Sequence, residues 1–195
     1  GGARVFEARR GTKHLKMDLE SCAAIDARRT LVFGSGSLPV RERIVDLTGE
    51  LARIVEAKEL YALLRATPEF AGSQLNLEGA CRIGDRLLLA NRGNGRATPE
   101  LAAVDALAEV SLAALLAYLD ERGPCPTLER VRTCDLGRLG DGRLSFTDLT
   151  PDQGAEKRGV GSVFFLAAAE HSPNVHDDGA IAGAGKVEVT LNAGG

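Results

Sequence analysis

Short hydrophobic runs separated by glycine-rich or polar turns recur along the chain, and two stretches repeat the same order. From Asp18 the chain reads D-L-E-S-C-A-A-I-D-A-R-R-T-L-V-F-G-S-G-S, and from Asn76 it reads N-L-E-G-A-C-R-I-G-D-R-L-L-L-A-N-R-G-N-G. Each copy has a small apolar run, a polar turn, a bulky apolar run and a glycine-rich exit. This order predicts two adjacent antiparallel strands joined by a tight turn.

A third, looser copy begins at Phe146-Thr147-Asp148 and continues as a bulky run over residues 163–169. The repeat predicts hairpins within residues 20–33, 78–90 and 148–169, in three successive blades of a β-propeller. The small runs suit innermost strands near a central axis, where large side chains would not fit. The bulky runs suit strands that are buried between neighbouring blades.

The remaining segments predict further strands and two short helices. Strands are expected at residues 43–45, 53–57 and 128–135, and a helix is expected at residues 60–66 before Pro68. Within residues 99–122, the second half (111–121) favours a helix, whereas the first half fits an outer strand equally well. The sequence therefore predicts an all-β fold: one β-propeller domain or a fragment of one over residues 1–195, with three to four visible blades and short helical insertions.

Composition and charge narrow the classes of partner. The 195 residues carry a net charge of -3 without a basic cluster, and aromatic residues make up only 4% of the chain, with no tryptophan. Nucleic acid and an anionic membrane are therefore not expected as partners. No apolar stretch has the length needed to span a bilayer. The sequence leaves the oligomeric state open.

The four cysteines, Cys22, Cys81, Cys125 and Cys134, form no Cys-x-x-Cys pair, which argues against a zinc knuckle or a thioredoxin-like site. Cys22 and Cys81 lie in small apolar runs, so we expect buried free thiols there. Cys125 and Cys134 could close a loop in an oxidising compartment. Reduced thiols in a cytoplasmic setting are the favoured interpretation.

Three carboxylates are expected to lie at one end of the predicted inner strands. Glu20, Glu78 and Asp148 occupy matching places in the three copies, and Asp18 and Asn76 precede the two glutamates by two residues. Oxygen ligands of this kind suit a hard cation, calcium or magnesium. The alternative is that these acids only cap turns by accepting backbone N–H bonds.

Two other polar groups follow the bulky runs. Arg92 could bind an anionic substrate or neutralise the carboxylates, and the alternative is a salt bridge between blades. Glu170 and His171 occupy the corresponding exit in the third copy. His176 and Asp177, in the loop that follows, offer further metal ligands, although a solvated loop explains them equally. No nucleophile elbow, dinucleotide fingerprint or phosphate-binding loop is present.

Together the motifs D-L-E, L-V-F-G-S-G-S, L-N-L-E-G-A, N-R-G-N-G, F-T-D and F-L-A-A-A-E-H-S-P-N-V-H-D-D-G resemble an uncharacterised bacterial β-propeller family of unknown function. That family is distantly similar to esterase-like phytase and to strictosidine-synthase or gluconolactonase propellers. The resemblance runs from about Lys13 to about Gly185. Members are usually longer, so a closing blade is expected to be missing here.

The resemblance implies a small ligand or a divalent cation at the channel mouth, where such a metal activates water or holds a substrate oxygen. On this interpretation the protein is a metal-dependent hydrolase of phosphate or carboxylic esters. The metal ligands are then Glu20, Glu78, Asp148 and Glu170, and Glu78 and Arg92 take part in catalysis. The rival hypothesis is a non-catalytic interaction scaffold.

Overall fold

The computed structural model describes residues 11–152, 161–171 and 180–191. The chain is mostly β and forms three four-stranded antiparallel sheets, with short helices between their strands. The strands are β1 (Leu19–Ala24), β2 (Arg29–Gly34), β3 (Arg43–Thr48), β4 (Leu51–Glu56), β5 (Leu77–Ile83), β6 (Arg86–Asn91), β7 (Asp105–Ser111), β8 (Glu129–Cys134), β9 (Arg138–Leu139), β10 (Gly142–Pro151), β11 (Gly161–His171) and β12 (Ala180–Leu191). The α-helices are α1 (Lys58–Arg65), α2 (Pro68–Ala71) and α3 (Leu112–Leu119), and 3-10 turns cover Lys13–Leu15 and Pro39–Arg41.

The three sheets follow one another along the chain. Sheet 1 has the order β1-β2-β3-β4, sheet 2 has β5-β6-β7-β8, and sheet 3 has β12-β11-β10-β9, in which β9 pairs only with the start of β10. Strand β5 contacts both β1 and β10, the opening strands of the two neighbouring hairpins. Residues of different sheets therefore meet along β1, β5 and β10.

All three predicted hairpins are confirmed as antiparallel strand pairs, β1–β2, β5–β6 and β10–β11. The opening strand of each pair has a β-bulge near its start, between Leu19 and Ser21, between Leu77 and Gly79, and between Phe146 and Asp148. The extra residue at a bulge faces no single partner residue across the ladder. The three copies can therefore be aligned on their bulges.

This alignment corrects one sequence-based equivalence. The bulge residues are Glu20, Glu78 and Thr147, so Asp148 does not occupy the place of the two glutamates. The sequence pattern placed the third copy one residue out of register, because nothing in the local pattern marks the extra residue of a bulge. A shift of one residue moves a side chain to the opposite face of the sheet.

The other predicted elements are largely confirmed. The strands expected at 43–45, 53–57 and 128–135 are β3, β4 and β8, and the helix expected at 60–66 is α1. The first half of residues 99–122 was expected to be either helix or strand. It contains a strand, β7 (residues 105–111), in the middle of sheet 2. Helix α3 then starts after Ser111, whose hydroxyl accepts a hydrogen bond from the backbone N–H of Ala114. No helix of the described residues is long and apolar enough to cross a membrane.

Two apolar layers hold the sheets together. Leu31 and Phe33 of sheet 1 pack with Leu87 and Leu89 of sheet 2 in the first layer, which also includes buried side chains of α1. The second layer packs the opposite face of sheet 2 against sheet 3. The rings of Phe146 and Phe165 meet there edge to face, with centroids 5.0 Å apart.

The cysteines are all free thiols. Cys81 is buried in the second layer, as expected. Cys22 is exposed, against expectation, because it lies on the face of β1 that no other sheet of the described chain covers. Cys125 and Cys134 do not form the loop-closing disulfide that the sequence had left open.

Candidate functional site

The chain leads into β1 and β5 in the same way. The backbone carbonyl of Asp18 accepts a hydrogen bond from the N–H of Ser35 (2.9 Å), and the carbonyl of Asn76 accepts one from the N–H of Arg92 (2.8 Å). Asp18 has a φ of 53°, in the left-handed region that aspartate tolerates better than most residues. The bulge residue then follows two positions later in each strand, as Glu20 after Asp18 and as Glu78 after Asn76.

At the start of β1, three polar side chains surround the carboxylate of Asp18. The ammonium of Lys16 lies 2.8 Å from Oδ1, and the guanidinium of Arg41, which is almost fully buried, lies 2.6 Å from Oδ2. The hydroxyl of Ser35 donates to Oδ2 at 3.1 Å. Lys16 also lies 3.6 Å from Oε1 of Glu20, so one exposed ammonium contacts both carboxyl groups.

Asp18 and Glu20 share a proton near neutral pH. Burial, a hydrogen bond to Asp18 and the negative charges of Asp18 and Glu78 raise the pKa of Glu20 to about 7. Burial acts to raise the pKa of Asp18 as well, but hydrogen bonds from Lys16 and Glu20 together with the charge of Arg41 hold it below its usual value. Glu20 is therefore the protonated partner, and Asp18 is the ionised one.

The start of β5 has a different charge balance. Arg92 lies 3.3 Å from Oε1 of Glu78 and also pairs with Glu170 of β11, and all three side chains are largely buried. The amide of Asn76 donates to Oε1 of Glu78 at 2.9 Å. Burial raises the pKa of Glu78, and the charge of Arg92 opposes this. Arg92 thus forms the salt bridge between sheets 2 and 3 that was the alternative to a substrate-binding role.

Asp148 lies apart from these groups. Its side chain is exposed, and its Oδ1 accepts a hydrogen bond from the backbone N–H of Leu149 at 2.8 Å. It lines a shallow pocket with Leu166 and Lys186 on the uncovered face of sheet 3. Among the four metal ligands predicted from the sequence, Glu78 and Glu170 both pair with Arg92, and the negative charge of Glu78 acts on Glu20. Asp148 takes part in none of these interactions.

Within the described ranges no three His, Cys, Asp or Glu side chains are grouped closely enough to hold a metal ion. His176 and Asp177 lie outside the described residues, as does the side chain of His171. Sequence reasoning named Asp18 only as a neighbour of Glu20 and missed Lys16 and Arg41. The signal for Lys16 was present, because lysine, aspartate and glutamate alternate at positions 16, 18 and 20.

A buried carboxylate, Asp105, fixes sheet 3 beside this region. Its Oδ1 accepts hydrogen bonds from the backbone N–H groups of Gly93 (2.9 Å) and Phe146 (3.0 Å), and its Oδ2 lies 2.8 Å from Arg143. A pocket of about 160 Å³ lies between Arg143 and Arg92. The two arginines that line this pocket are already paired with carboxylates, so they offer no uncompensated positive charge to an anionic ligand.

Comparison with known proteins identifies the family and gives no activity. A search of curated proteins found no match. The model of a family described as "Family of unknown function (DUF6910)" matches residues 12–191, which is nearly the whole chain. The chain therefore belongs to the DUF6910 family.

Proposed function

We propose that the chain forms blades of a β-propeller and that its Asp18–Glu20 pair binds a hydrated divalent cation, calcium or magnesium. One observation carries the proposal. Two adjacent carboxyl groups hold a shared proton and an exposed ammonium, that of Lys16, at the start of β1. A divalent cation would replace both positive charges in a single step.

The propeller arrangement is supported by the repetition of the sheets. Three sheets succeed one another along the chain, the opening strand of sheet 2 contacts the opening strands of both neighbours, and the same bulge recurs in each. Propellers are built from four-stranded sheets arranged radially around an axis. In such an arrangement β1 and β5 would be the strands nearest the axis, as would β10 beyond the two residues at which it pairs with β9. Asp18 and Glu20 would lie at one mouth of the channel.

The donor set fits a cation that keeps part of its water shell. Magnesium is commonly bound by one or two carboxylates and several waters, and calcium accepts carboxylate and water oxygens together. Asp18 and Glu20 supply the two carboxylates, and the neighbouring charge of Glu78 adds to the negative potential that already raises the pKa of Glu20. Asp18 is held by the buried Arg41 through Oδ2 only, and its Oδ1 faces the exposed ammonium of Lys16, which a cation could displace. Glu170 is less suited to bind the ion because its partner, Arg92, is itself buried.

Hydrolysis of a carboxylic or phosphate ester is the reaction we propose for this site. The bound cation would polarise the ester or phosphoryl oxygen. Because the cation would displace the proton of Glu20, Glu20 would hold the ion as a carboxylate, and its pKa of about 7 without the ion sets the pH above which the site would fill. In this proposal Arg92 is a positioning residue, since it holds Glu78 and does not face a substrate with a free guanidinium.

The second candidate function is a non-catalytic interaction scaffold. It is supported by the pairing of Arg92 with Glu78 and Glu170, and by the hydrogen bonds of Asp105, which together tie sheet 2 to sheet 3. On this hypothesis the carboxylates stabilise the contact between sheets and bind no cation. Both candidates predict the same fold, so only a binding measurement separates them.

Isothermal titration calorimetry with CaCl2 and with MgCl2 tests the proposal. Because the cation competes with the proton on Glu20, binding should be about tenfold weaker at pH 6 than at pH 8. Lys16→Ala removes the competing ammonium and should strengthen binding at both pH values. Glu20→Gln should abolish binding, whereas Glu50→Gln, on an exposed turn, should leave binding unchanged. Absence of binding heat from both salts at pH 8 would leave only the scaffold.

Hydrolysis is tested separately with p-nitrophenyl acetate and p-nitrophenyl phosphate, each with the tighter-binding cation and with EDTA. We expect turnover of at least one ester that depends on the cation and is lost in Glu20→Gln. Cation binding without turnover of either ester would contradict the hydrolase part of the proposal and leave the cation site in place.

A further inference from the structure

A polar pocket lies between the loop that follows β2 and the segment that leads into β5. It has a volume of about 190 Å³ and is lined by Ser37 of that loop, by Ser73 and Gln74 of that segment, and by Arg65 at the end of α1. We call this space the α1 pocket. None of these four side chains belongs to the proposed cation site.

The backbone of two glycines forms part of the wall of the α1 pocket. Gly36 has a φ of 71° and Gly72 a φ of 55°, in the left-handed region that favours glycine. A Cβ at Gly36 would lie 2.5 Å from the ring of Tyr61, and a Cβ at Gly72 would lie 2.4 Å from the carbonyl oxygen of Ala102. The wall is therefore closely packed backbone, and the space is present before any ligand binds.

The hydroxyl of Ser37 has one acceptor position left for a ligand. A guanidinium only donates hydrogen bonds, so Oγ of Ser37 accepts from Nη1 of Arg41 at 2.7 Å. The hydroxyl of Ser35 donates to Asp18 at 3.1 Å, so the hydrogen of the Ser37 hydroxyl goes to Oγ of Ser35 at 2.8 Å. A hydroxyl oxygen has two lone pairs. One lone pair of Ser37 therefore remains to accept a hydrogen bond.

Arg65 and Gln74 supply hydrogen-bond donors to the same pocket. Nη2 of Arg65 donates to Glu42 and to the carbonyl oxygen of Gly36, whereas its Nη1 and Nε donate to no described residue. Oε1 of Gln74 accepts from the backbone N–H of Arg96 at 3.2 Å, and its NH2 group has no partner among the described residues. Both side chains can therefore donate to the oxygen atoms of a ligand.

The hydroxyl of Ser73 also lacks a partner. Its Oγ is buried and forms no hydrogen bond to the described part of the chain. Buried polar atoms are nearly always hydrogen-bonded in folded proteins. Rotation about the single χ1 bond of serine moves this hydroxyl among three staggered positions, and an occupant of the α1 pocket would supply the missing partner.

The charged groups around the α1 pocket are already paired. Arg65 forms a salt bridge with the buried Glu42, and Arg41, behind Ser37, forms one with Asp18. An anionic ligand would have to draw Arg65 away from Glu42 and leave a buried carboxylate without its cation, which is costly. A neutral ligand whose oxygen atoms both donate and accept hydrogen bonds avoids this cost. Hydroxyl groups have that property.

We propose that the α1 pocket binds a small neutral molecule with several hydroxyl groups. Ser37 accepts from one hydroxyl, Arg65 and Gln74 donate to others, and the carbon chain packs on Leu75, which also lines the pocket. A cavity of about 150 Å³ holds one benzene molecule, and the α1 pocket is slightly larger. A four-carbon polyol therefore matches it in size. The proposal does not depend on the cation site.

Nitrogen-15 NMR of the unmodified chain in EDTA tests this proposal with two probes that share a four-carbon chain, erythritol and tartrate. Erythritol carries no charge, and tartrate has carboxylates in place of its terminal hydroxymethyl groups. Erythritol should shift the amide signals of Ser37, Ser73 and Gln74, and the shifts should saturate at millimolar concentrations, as expected for so small a ligand. Tartrate should bind more weakly.

Two variants locate the ligand within the pocket. Arg65→Lys keeps the charge that pairs with Glu42 and removes the additional guanidinium donors, so erythritol should bind about tenfold more weakly. Ser73→Ala removes a hydroxyl that has no partner in the free chain. It should weaken binding about fivefold and leave the urea denaturation midpoint unchanged. Arg28→Lys, at an exposed arginine outside the pocket, is the control and should bind erythritol as the unmodified chain does.

Three results would overturn the proposal. The first is an absence of saturable shifts from erythritol, or shifts spread evenly over the surface. The second is tighter binding of tartrate than of erythritol, which would indicate a pocket for anions. The third is unchanged erythritol affinity in both Arg65→Lys and Ser73→Ala, which would place the ligand elsewhere. Because EDTA is present throughout, none of these outcomes bears on the cation site.

Discussion

At the start of β1, Glu20 lies beside Asp18 and an exposed lysine, whereas at the start of β5 Glu78 lies beside Asn76 and a buried arginine. The backbone is the same in both places, with a matching bulge and a matching hydrogen bond between the two strands of the hairpin. The side chain that follows the second strand differs: Ser35 in sheet 1 and Arg92 in sheet 2. Arg92 forms a salt bridge with Glu78, whereas Ser35 only donates a hydrogen bond to Asp18. The charge of Asp18 is met by Lys16 and the buried Arg41, and Glu20 has no arginine of its own and keeps a raised pKa.

One repeated position in the fold therefore holds two roles. At the start of β5, the carboxylate of Glu78 is neutralised by Arg92, which also pairs with Glu170 and so joins sheets 2 and 3. The start of β1 keeps one proton whose pKa is near 7 and one ammonium that faces solvent. A group that can exchange its counterion is the better candidate for binding chemistry.

Replacing Arg92 should have the largest effect on stability, and it tests whether the salt bridge at the start of β5 holds sheets 2 and 3 together. Arg92→Met leaves the buried carboxylates of Glu78 and Glu170 without their shared cation, so we expect the free energy of unfolding to fall by about 3 kcal/mol. Urea denaturation measures this loss. Arg28→Met, at an exposed arginine, is the matched control and should change stability little. A loss below about 1 kcal/mol for Arg92→Met would show that the salt bridge does not hold the sheets together.

Replacing Glu20 should have a smaller effect that depends on pH. The pKa of Glu20 is raised in the folded state, so the folded chain binds more protons than the unfolded chain between about pH 4.5 and 7. Stability contributed by this group is therefore complete at low pH and is lost as the pH rises through 7. Glu20→Gln should remove that loss, and its stability relative to the unmodified chain should rise by about 1 kcal/mol from pH 5 to pH 8, after discounting for partial exposure.

Urea denaturation in EDTA at several pH values measures this difference, with Glu50→Gln as the control. Equal pH dependence in Glu20→Gln and the unmodified chain would mean that Glu20 titrates normally. The contrast between the starts of β1 and β5 would then disappear.

The carboxyl groups at the starts of β1 and β5 are also coupled by charge, and Glu78→Gln tests that link. The negative charge of Glu78 is one of the causes that raise the pKa of Glu20. Its removal should lower the Glu20 pKa by about half a pH unit, as expected for two partly solvated charges. Carbon-13 NMR of the side-chain carboxyl groups follows this titration directly. An unchanged pKa would show that the two glutamates titrate independently.

The smallest effect is expected at Asp148, which the structure places away from both Glu20 and Glu78. Asp148→Asn should keep cation affinity unchanged and alter the free energy of unfolding by less than about 0.5 kcal/mol, as is usual for an exposed position. The same calorimetric titration and urea denaturation measure both. Loss of cation affinity in this variant would restore the original three-carboxylate ring and contradict the bulge alignment.

The hairpins could be predicted from the sequence because strand patterning and turn residues are local. The run L-V-F-G of sheet 1 and the run L-L-L-A of sheet 2 fall in their strands as expected. The register of the third copy could not be predicted, because a bulge shifts the strand by one residue without a local sequence mark. The place of Asp148 was wrong for this reason alone.

The candidate site was only partly accessible from the sequence. Glu20 and Glu78 were found because they repeat, but the partner of Arg92 lies 78 positions away, and pairings at such distances depend on how the sheets pack. The difference in charge between the starts of β1 and β5 was equally hidden. It arises from Lys16, from the buried Arg41 and from the degree of burial of each carboxyl group. Only Lys16 is visible in the local sequence, and the other two causes depend on how the chain packs.

The proton that Asp18 and Glu20 share should be displaced by a divalent cation, and NMR titration of the Glu20 carboxyl group tests this most directly. Spectra of the unmodified chain are recorded across pH 4 to 9, first in EDTA and then with saturating CaCl2 or MgCl2. We predict a midpoint near 7 without the cation and a clearly lower midpoint with it. A midpoint near 4.5 in EDTA, or a midpoint near 7 that neither cation moves, would contradict the proposed cation site.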